Sequence, residues 1–175
     1  MPEILLSEPE LRYQASFIAA MKEMIDEVQP PDWNLQALRE HFDEYLEVLR
    51  ARVEDPLPGL VPSSEYWLIV DGEYAGRLSL RHFLNEKLEF YGGHIGYDIR
   101  PSMRRRGLGT IQCALGLQKA RALGLRRVLI TCDDNNEGSI RIIERNGGVL
   151  QDRVDNGRSV LTRRYWIDLD TPEKA

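Results

Sequence analysis

Apolar residues in this chain change their spacing along its length, and the changes mark out its elements. Glu3-Ile4-Leu5-Leu6 is a short run of strand type. Tyr13, Phe17, Met21, Met24 and Val28 then recur at steps of three and four, the period of one helix face. Ser7 is placed to cap that helix, with Pro9 in its first turn and Glu10 three residues on. Pro30-Pro31 ends it. A second helix after Asp32 carries Leu35, Leu38, Phe42, Leu46, Leu49 and Val53 in one stripe. Pro56, Pro58, Gly59 and Pro62 mark a loop.

Beyond that loop the period shortens to two. Tyr66 to Val70 is a strand, Asp71-Gly72 a hairpin turn, and Gly76, Leu78 and Leu80 alternate with polar residues in the next strand. Leu84-Asn85-Glu86-Lys87 predicts another turn, and Phe90 to Ile99 a further strand weakened by Gly92-Gly93. A helix from Gly107 to Leu123 places Leu108, Ile111, Leu115 and Ala122 on one face. Val128 to Ile130, extended to Cys132, is a short buried strand. A helix from Asn136 to Arg145 stops at Asn146-Gly147-Gly148. Val149–Val154 and Ser159–Ile167 pair around Asn156-Gly157. The predicted order is β-α-α-β-β-β-α-β-α-β-β. An antiparallel meander followed by a crossover gives an α/β fold with a mixed, mostly antiparallel sheet flanked by helices. No repeat or low-complexity linker interrupts it, so one domain is expected over 1–175, its chemistry-bearing part at about 66–168.

One junction in this pattern carries chemistry. Arg104-Arg105-Arg106-Gly107-Leu108-Gly109-Thr110 lies between a strand and a helix. A glycine-bearing turn there aims several backbone N–H groups at one point, and the helix N-terminus adds positive potential. Three arginines add full charges for phosphate oxygens. The junction reads as a cradle for a pyrophosphate. The alternative is a solvated basic patch.

Arg104-x-x-Gly107-x-Gly109 resembles the R/Q-x-x-G-x-G/A motif of the GCN5-related N-acetyltransferases, the GNAT family. A second motif of that family is matched by Asn136-Glu137-Gly138-Ser139, closed by Gly147. The resemblance spans Trp67 to Trp166, with both motifs in the family's order. Tyr91-Gly92-Gly93-His94-Ile95-Gly96-Tyr97 and Asn146-Gly147-Gly148-Val149 resemble a bacterial branch of predicted acetyltransferases, which assigns no acceptor. The resemblance implies the GNAT fold and acetyl-CoA as co-substrate, with no metal. Acetyl transfer to a primary amine would proceed by direct attack in a ternary complex. Backbone groups of Tyr97, Asp98 and Ile99 would hold the pantetheine arm, and a bulge there would turn one N–H toward the thioester carbonyl. Arg104, Arg105, Arg106, Gly107, Leu108, Gly109 and Thr110 would hold the pyrophosphate. Asn136 and Ser139 would contact the pantetheine or phosphates, their alternative being simple helix capping.

The attacking amine must be neutral, and a lysine-type amine has a pKa near ~10.4. His94 is the titratable residue best placed to remove or relay its proton. Its competing reading is a packed histidine bonded within the sheet. His82 is a weaker candidate, and His41 lies on a surface helix. The family often carries a tyrosine seven residues after the motif asparagine, placed to protonate the departing thiolate. Here that position is Ile143, so Tyr97, Tyr165 or water would have to serve. Cys132 offers a thiol for a ping-pong route, against the reading of an unactivated buried cysteine. Asp133 and Asp134 read as caps of the following helix.

Charge narrows the partners. From Arg100 to Arg127 there are eight basic residues and no acidic one; from Met1 to Leu60 there are thirteen acidic and five basic. An anion at the centre and a cationic acceptor, a small molecule or a peptide, near the N-terminal half are the corresponding expectations. Net charge of −5 and the lack of aromatics between Arg100 and Arg127 argue against nucleic acid. No apolar run approaches the ~20 residues of a membrane span, and Met1-Pro2-Glu3-Ile4 does not open a signal peptide. Cys113 and Cys132 are expected as free thiols in a reducing cytoplasm. A monomer or a homodimer through the C-terminal strands is compatible with the sequence. The rival reading is a GNAT-fold module that senses acyl-CoA without turnover.

Overall fold

The structure is a computed structural model that describes residues 2–28 and 34–170. Its strands are β1 Ile4–Ser7, β2 Ser63–Val70, β3 Glu73–Arg81, β4 Ile95–Ile99, β5 Arg127–Asp133, β6 Val149–Val154 and β7 Thr162–Asp168. Its helices are α1 Gln14–Val28, α2 Leu35–Glu40, α3 Phe42–Ala51, α4 Glu86–Phe90, α5 Leu108–Ala122 and α6 Glu137–Arg145. Two antiparallel sheets stand side by side, in strand orders β1-β2-β3-β4 and β5-β7-β6. The expected single mixed sheet is thus divided between β4 and β5.

These two strands meet at one point. The His94 N–H donates to the Leu129 carbonyl at 2.7 Å, and the Leu129 N–H donates back to His94 Nδ1 at 2.9 Å. At Gly93 the backbones are so close that a Cβ would lie 2.4 Å from the Leu129 oxygen. Past that pin no ladder joins β4 to β5, and a gap opens between the two strands.

Alternation on β2 builds the core on both faces of the first sheet. Trp67 and Ile69 turn toward α1 and α3, where Phe17 stacks on Trp67 at 4.6 Å and Phe42 and Tyr74 close the cluster. Leu68 turns the other way, with Leu78, Leu80 and Ile95, against α5 and the second sheet. Each such apolar side chain contributes about 1.5–3 kcal/mol by leaving water. The face α5 uses is Leu108, Gly109, Gln112, Cys113, Gly116 and Ala120, whereas Ile111 remains 38% exposed. The predicted stripe of larger residues is displaced because the helix lies so close to β3 that a Cβ on Gly116 would fall 2.4 Å from Leu78 Cδ1.

Local chemistry moves several boundaries. Ser7 ends β1 instead of capping a helix; its hydroxyl donates to the Glu8 carbonyl and the Glu10 carboxylate. The chain turns helical only at a 3-10 turn over Leu11–Tyr13. The second predicted helix is two, broken at His41 with φ −112° and ψ 34°. Pro30, Pro31 and Asp32 lie outside the described residues. The strand predicted from Phe90 starts at Ile95, because Asn85 accepts from the Leu88 N–H and starts α4 there. Asp71 and Gly72 both take positive φ, 49° and 81°, the paired left-handed turn the dipeptide predicts.

Candidate active site

The cradle is built by backbone conformation. Arg104 is extended, Arg105 is left-handed at φ 64°, and Gly107 is left-handed at φ 78° immediately before α5. Alternating hand across a few residues turns successive N–H groups to one side. The N–H groups of Leu108 and Gly109 open the helix and have no intrahelical acceptor, while the Thr110 N–H donates to the Gly107 carbonyl. Gly107 needs its hand, and a Cβ there meets open space. Gly109 needs room, since a Cβ would lie 2.6 Å from Ile142 Cδ1.

These groups line a cavity of about 760 Å³. Tyr97, Asp98 and Ile99 supply its β4 wall. Arg104, Arg105, Gly107, Leu108, Gly109 and Thr110 supply the cradle, and Asn136 and Ser139 stand opposite. Arg106 is the expected cradle residue outside this lining; its guanidinium donates to the Ser102 carbonyl at 3.1 Å. Arg104 is bidentate on Glu27 of α1, at 2.6 and 2.8 Å, and its Nε donates to the Ile99 carbonyl. Arg141 and Arg145 of α6 also line the cavity, and sequence reasoning missed them. Their signal was their spacing: Gly138, Arg141, Ile142 and Arg145 recur at three- and four-residue steps on the face that holds Asn136.

A second, smaller cavity of about 320 Å³ continues from the first. Both are lined by Tyr97, Asn136 and Ser139. At this neck the Tyr97 hydroxyl is 2.7 Å from Ser139 Oγ. Burial raises the Tyr97 phenol well above its usual range, so it carries its proton at neutral pH. Asn136 caps α6 by accepting from the Ser139 N–H at 3.0 Å. Arg81, Tyr91, Gly92, Gly96, Thr131, Cys132 and Asp133 lie farther in. Burial pushes the Cys132 thiol up to about 11, leaving it protonated and unactivated. Both cysteines are free and buried. The β3–β4 register is continuous from Leu80↔Ile95 to Gly76↔Ile99, so β4 has no bulge in that ladder and its N–H groups keep strand geometry.

The structure separates the other candidates. His94 is buried at the pin between the sheets. Burial, Arg81 and Arg127 depress its pKa to about 4, and its Nδ1 lone pair is occupied by the Leu129 N–H. His82 is bonded to Ser64 Oγ at 2.8 Å, and His41 is exposed beside Glu44. The buried Tyr165 hydroxyl donates to Glu144 and accepts from Arg163. Ile143 is fully buried against Gly148, so its position faces the core and not the neck. Asp133 pairs with Arg158 and Asp134 with Arg163 and Arg153; the cap they were expected to supply comes from Asn136.

The two charge excesses meet each other. Glu23 binds Arg100 at 2.8 Å and also accepts from the Ser102 N–H and hydroxyl, and Glu27 binds Arg104. Part of the N-terminal acidity is therefore spent on the central basic stretch. Among the described residues no helix is long and apolar enough to cross a membrane, and no group of three or more His, Cys, Asp or Glu is placed to hold a metal ion.

Comparison with known proteins agrees with this geometry. Residues 4–149 match the family model described as an acetyltransferase (GNAT) domain. RimJ from Mycobacterium smegmatis, solved with CoA-disulfide, superposes with a TM-score of 0.72 at 17% identity, over 95% of this chain and 82% of that one. An acetyltransferase from Salmonella typhimurium that modifies the N-terminal serine of the ribosomal protein L7/L12 gives 0.66 at 16% identity, over 95% of each chain. MccE, the microcin C7 self-immunity acetyltransferase solved with acetyl-CoA and AMP, gives 0.66 at 17% identity, over 95% of this chain and 93% of that one. No curated protein sequence matches the chain.

Proposed function

Because the chain belongs to the GNAT acetyltransferase family, we propose that it transfers an acetyl group from acetyl-CoA to a primary amine, with 1–175 acting as one domain. The observation that carries this reading is the pair of cavities joined at the Tyr97–Ser139 neck, with a helix-terminus cradle at one end. RimJ and MccE, solved with CoA-disulfide and with acetyl-CoA, add support.

When bound, acetyl-CoA supplies the acetyl group as an activated thioester. The N–H groups around Gly107, Leu108 and Gly109 would hold the pyrophosphate, with charge from Arg105, Arg141 and Arg145. Arg104 would join them on leaving Glu27. The edge of β4 from Tyr97 to Ile99 would align the pantetheine arm at the neck. Tyr97 would stand there protonated, as a hydrogen-bond donor to developing charge on sulfur. We assign His94 a positioning role, since its lone pair is engaged and its ring neutral. Water in the smaller cavity would take the amine proton. The smaller cavity receives the acceptor. Two of the acids that pointed to a cationic acceptor, Glu23 and Glu27, are held by Arg100 and Arg104. Two free buried thiols suit a reducing compartment such as the cytoplasm.

The test is CoA release from acetyl-CoA across an amine panel, with calorimetry of CoA binding alongside. Amine-dependent release is the expected result. Tight CoA binding without release from any amine would replace this reading with the sensor module.

A further inference from the structure

The smaller cavity contains a cation with no carboxylate bonded to it among the described residues. Arg81, at the end of β3, lines it and is half-buried. One of its nitrogens, Nη1, donates to the Gly92 and Gly93 carbonyls at 3.1 and 3.2 Å, and among the described residues no acidic group forms an ion pair with it. A guanidinium has five N–H donors, so most of this one's capacity remains. The nearest acid in the cavity wall, Asp133, is committed to Arg158, which itself lies over the Tyr91 ring at 4.6 Å. Asp98, on the same sheet face, is committed to Arg77 at 2.7 Å. The sheet pairs Arg81 with the backbone of His94, whose ring is held neutral in part by this same charge. A half-desolvated cation facing a polar cavity is favoured by an anion placed against it.

Position ties this cation to the reacting end. Gly96 of β4 lies between Arg81 and the neck, and a Cβ there would be 3.8 Å from Arg81 Nη1. Having none, Gly96 leaves the path open. Arg81 and the neck residues Tyr97, Asn136 and Ser139 line this one cavity, so a small acceptor in it can reach both.

We propose, resting on the acetyltransferase reading above, that the acceptor is a small amine that also carries a carboxylate, and that Arg81 is the residue that selects it. Two sources share this chemistry: a free amino acid, and a peptide with an acidic residue next to its amino terminus.

The test uses the full chain with acetyl-CoA and matched acceptors: glycine, β-alanine and glycinamide, and the peptides Ala-Asp-Ala and Ala-Asn-Ala. Wild type should favour the carboxylated member of at least one pair by tenfold or more in kcat/KM, and the pair that responds names the source. Arg81→Gln keeps a donor for the Gly92 carbonyl without the charge. It should erase that preference through KM, weakening the carboxylated acceptors far more than the uncharged ones, with the KM for acetyl-CoA little changed. Arg81→Lys should retain part of it. Equal rates for charged and uncharged partners in wild type would overturn the proposal, and so would an equal loss on all acceptors in Arg81→Gln. If no amine is acetylated, the transferase reading fails, and the subsite is judged by calorimetry of N-acetylglycine on the CoA-loaded protein. Binding that Arg81→Gln abolishes upholds the anion site; no binding to wild type overturns it.

Discussion

Arg105 and Gly107 share the left-handed backbone, but only glycine adopts it without strain. Arg105→Gly should therefore leave the fold as stable as wild type or slightly more so, yet raise the CoA dissociation constant about tenfold through loss of one charge-assisted contact. Calorimetry and a melting curve on the same sample separate the two effects; unchanged affinity would remove Arg105 from the cradle. Tyr97→Phe should lower turnover while CoA binding holds, and wild-type turnover would leave the phenol with a packing role. His94 makes a prediction in pH. Its folded pKa of about 4 lies below the usual 6.5. The neutral ring's contribution is thus complete above about 6.5 and is lost as pH falls toward 4, because the unfolded chain takes up a proton that the folded one refuses. His94→Asn, which can still accept from Leu129, should flatten the fall in melting temperature over that window. A mutant with the wild-type slope would place the sensitivity elsewhere. At this scale the sequence was most legible where conformation is local: the glycine motif needed no knowledge of the rest of the chain, whereas the α6 cap was expected from Asp133 and Asp134 and is Asn136. Arg104's partner was not legible, since Glu27 lies 77 residues away and pairing across such a distance is a product of the fold.

Elements were legible by period and misread where small residues decide the packing. The α5 face was drawn through its larger apolar residues, but the helix buries Gly109, Cys113, Gly116 and Ala120, with Gly116 set against β3. Close approach excludes bulk, so the buried face is the one with little of it. Gly116→Val should destabilise the protein by about 2–3 kcal/mol through overpacking, seen as a lower denaturation midpoint. Leu78→Ala in the same chain should recover part of that loss, because Leu78 Cδ1 is the atom a Cβ would strike. Additive losses in the double mutant would refute that contact as the cause. The helix α4 was missed for a different reason. Five residues carry almost no periodic signal, and Asn85, read as a turn residue, uses the same side-chain oxygen to start a helix.

For the molecule as a whole, the order of elements was readable, but the division of the sheet was not. A strand's sequence reports which face is buried and leaves open whether its edge is paired. That unpaired edge between β4 and β5 borders the proposed site. The long-range ion pairs matter at the same scale, because Glu23 and Glu27 of α1 fasten the segment that leads into the cradle. Glu27 holds both terminal nitrogens of Arg104, so a pyrophosphate in the proposed cradle would have to compete with a carboxylate for that guanidinium. Glu27→Gln removes the competitor and a negative charge beside an anion site. CoA should bind severalfold more tightly to this variant at low salt. The advantage should shrink as salt rises, since screening shortens from ~10 Å at 0.1 M to ~3 Å at 1 M. If Arg104 instead serves only to tie α1 to the loop, Glu27→Gln should loosen that tie and leave CoA affinity unchanged or weaker at every salt concentration. Calorimetry at two ionic strengths distinguishes a cradle residue held in reserve from a fastener.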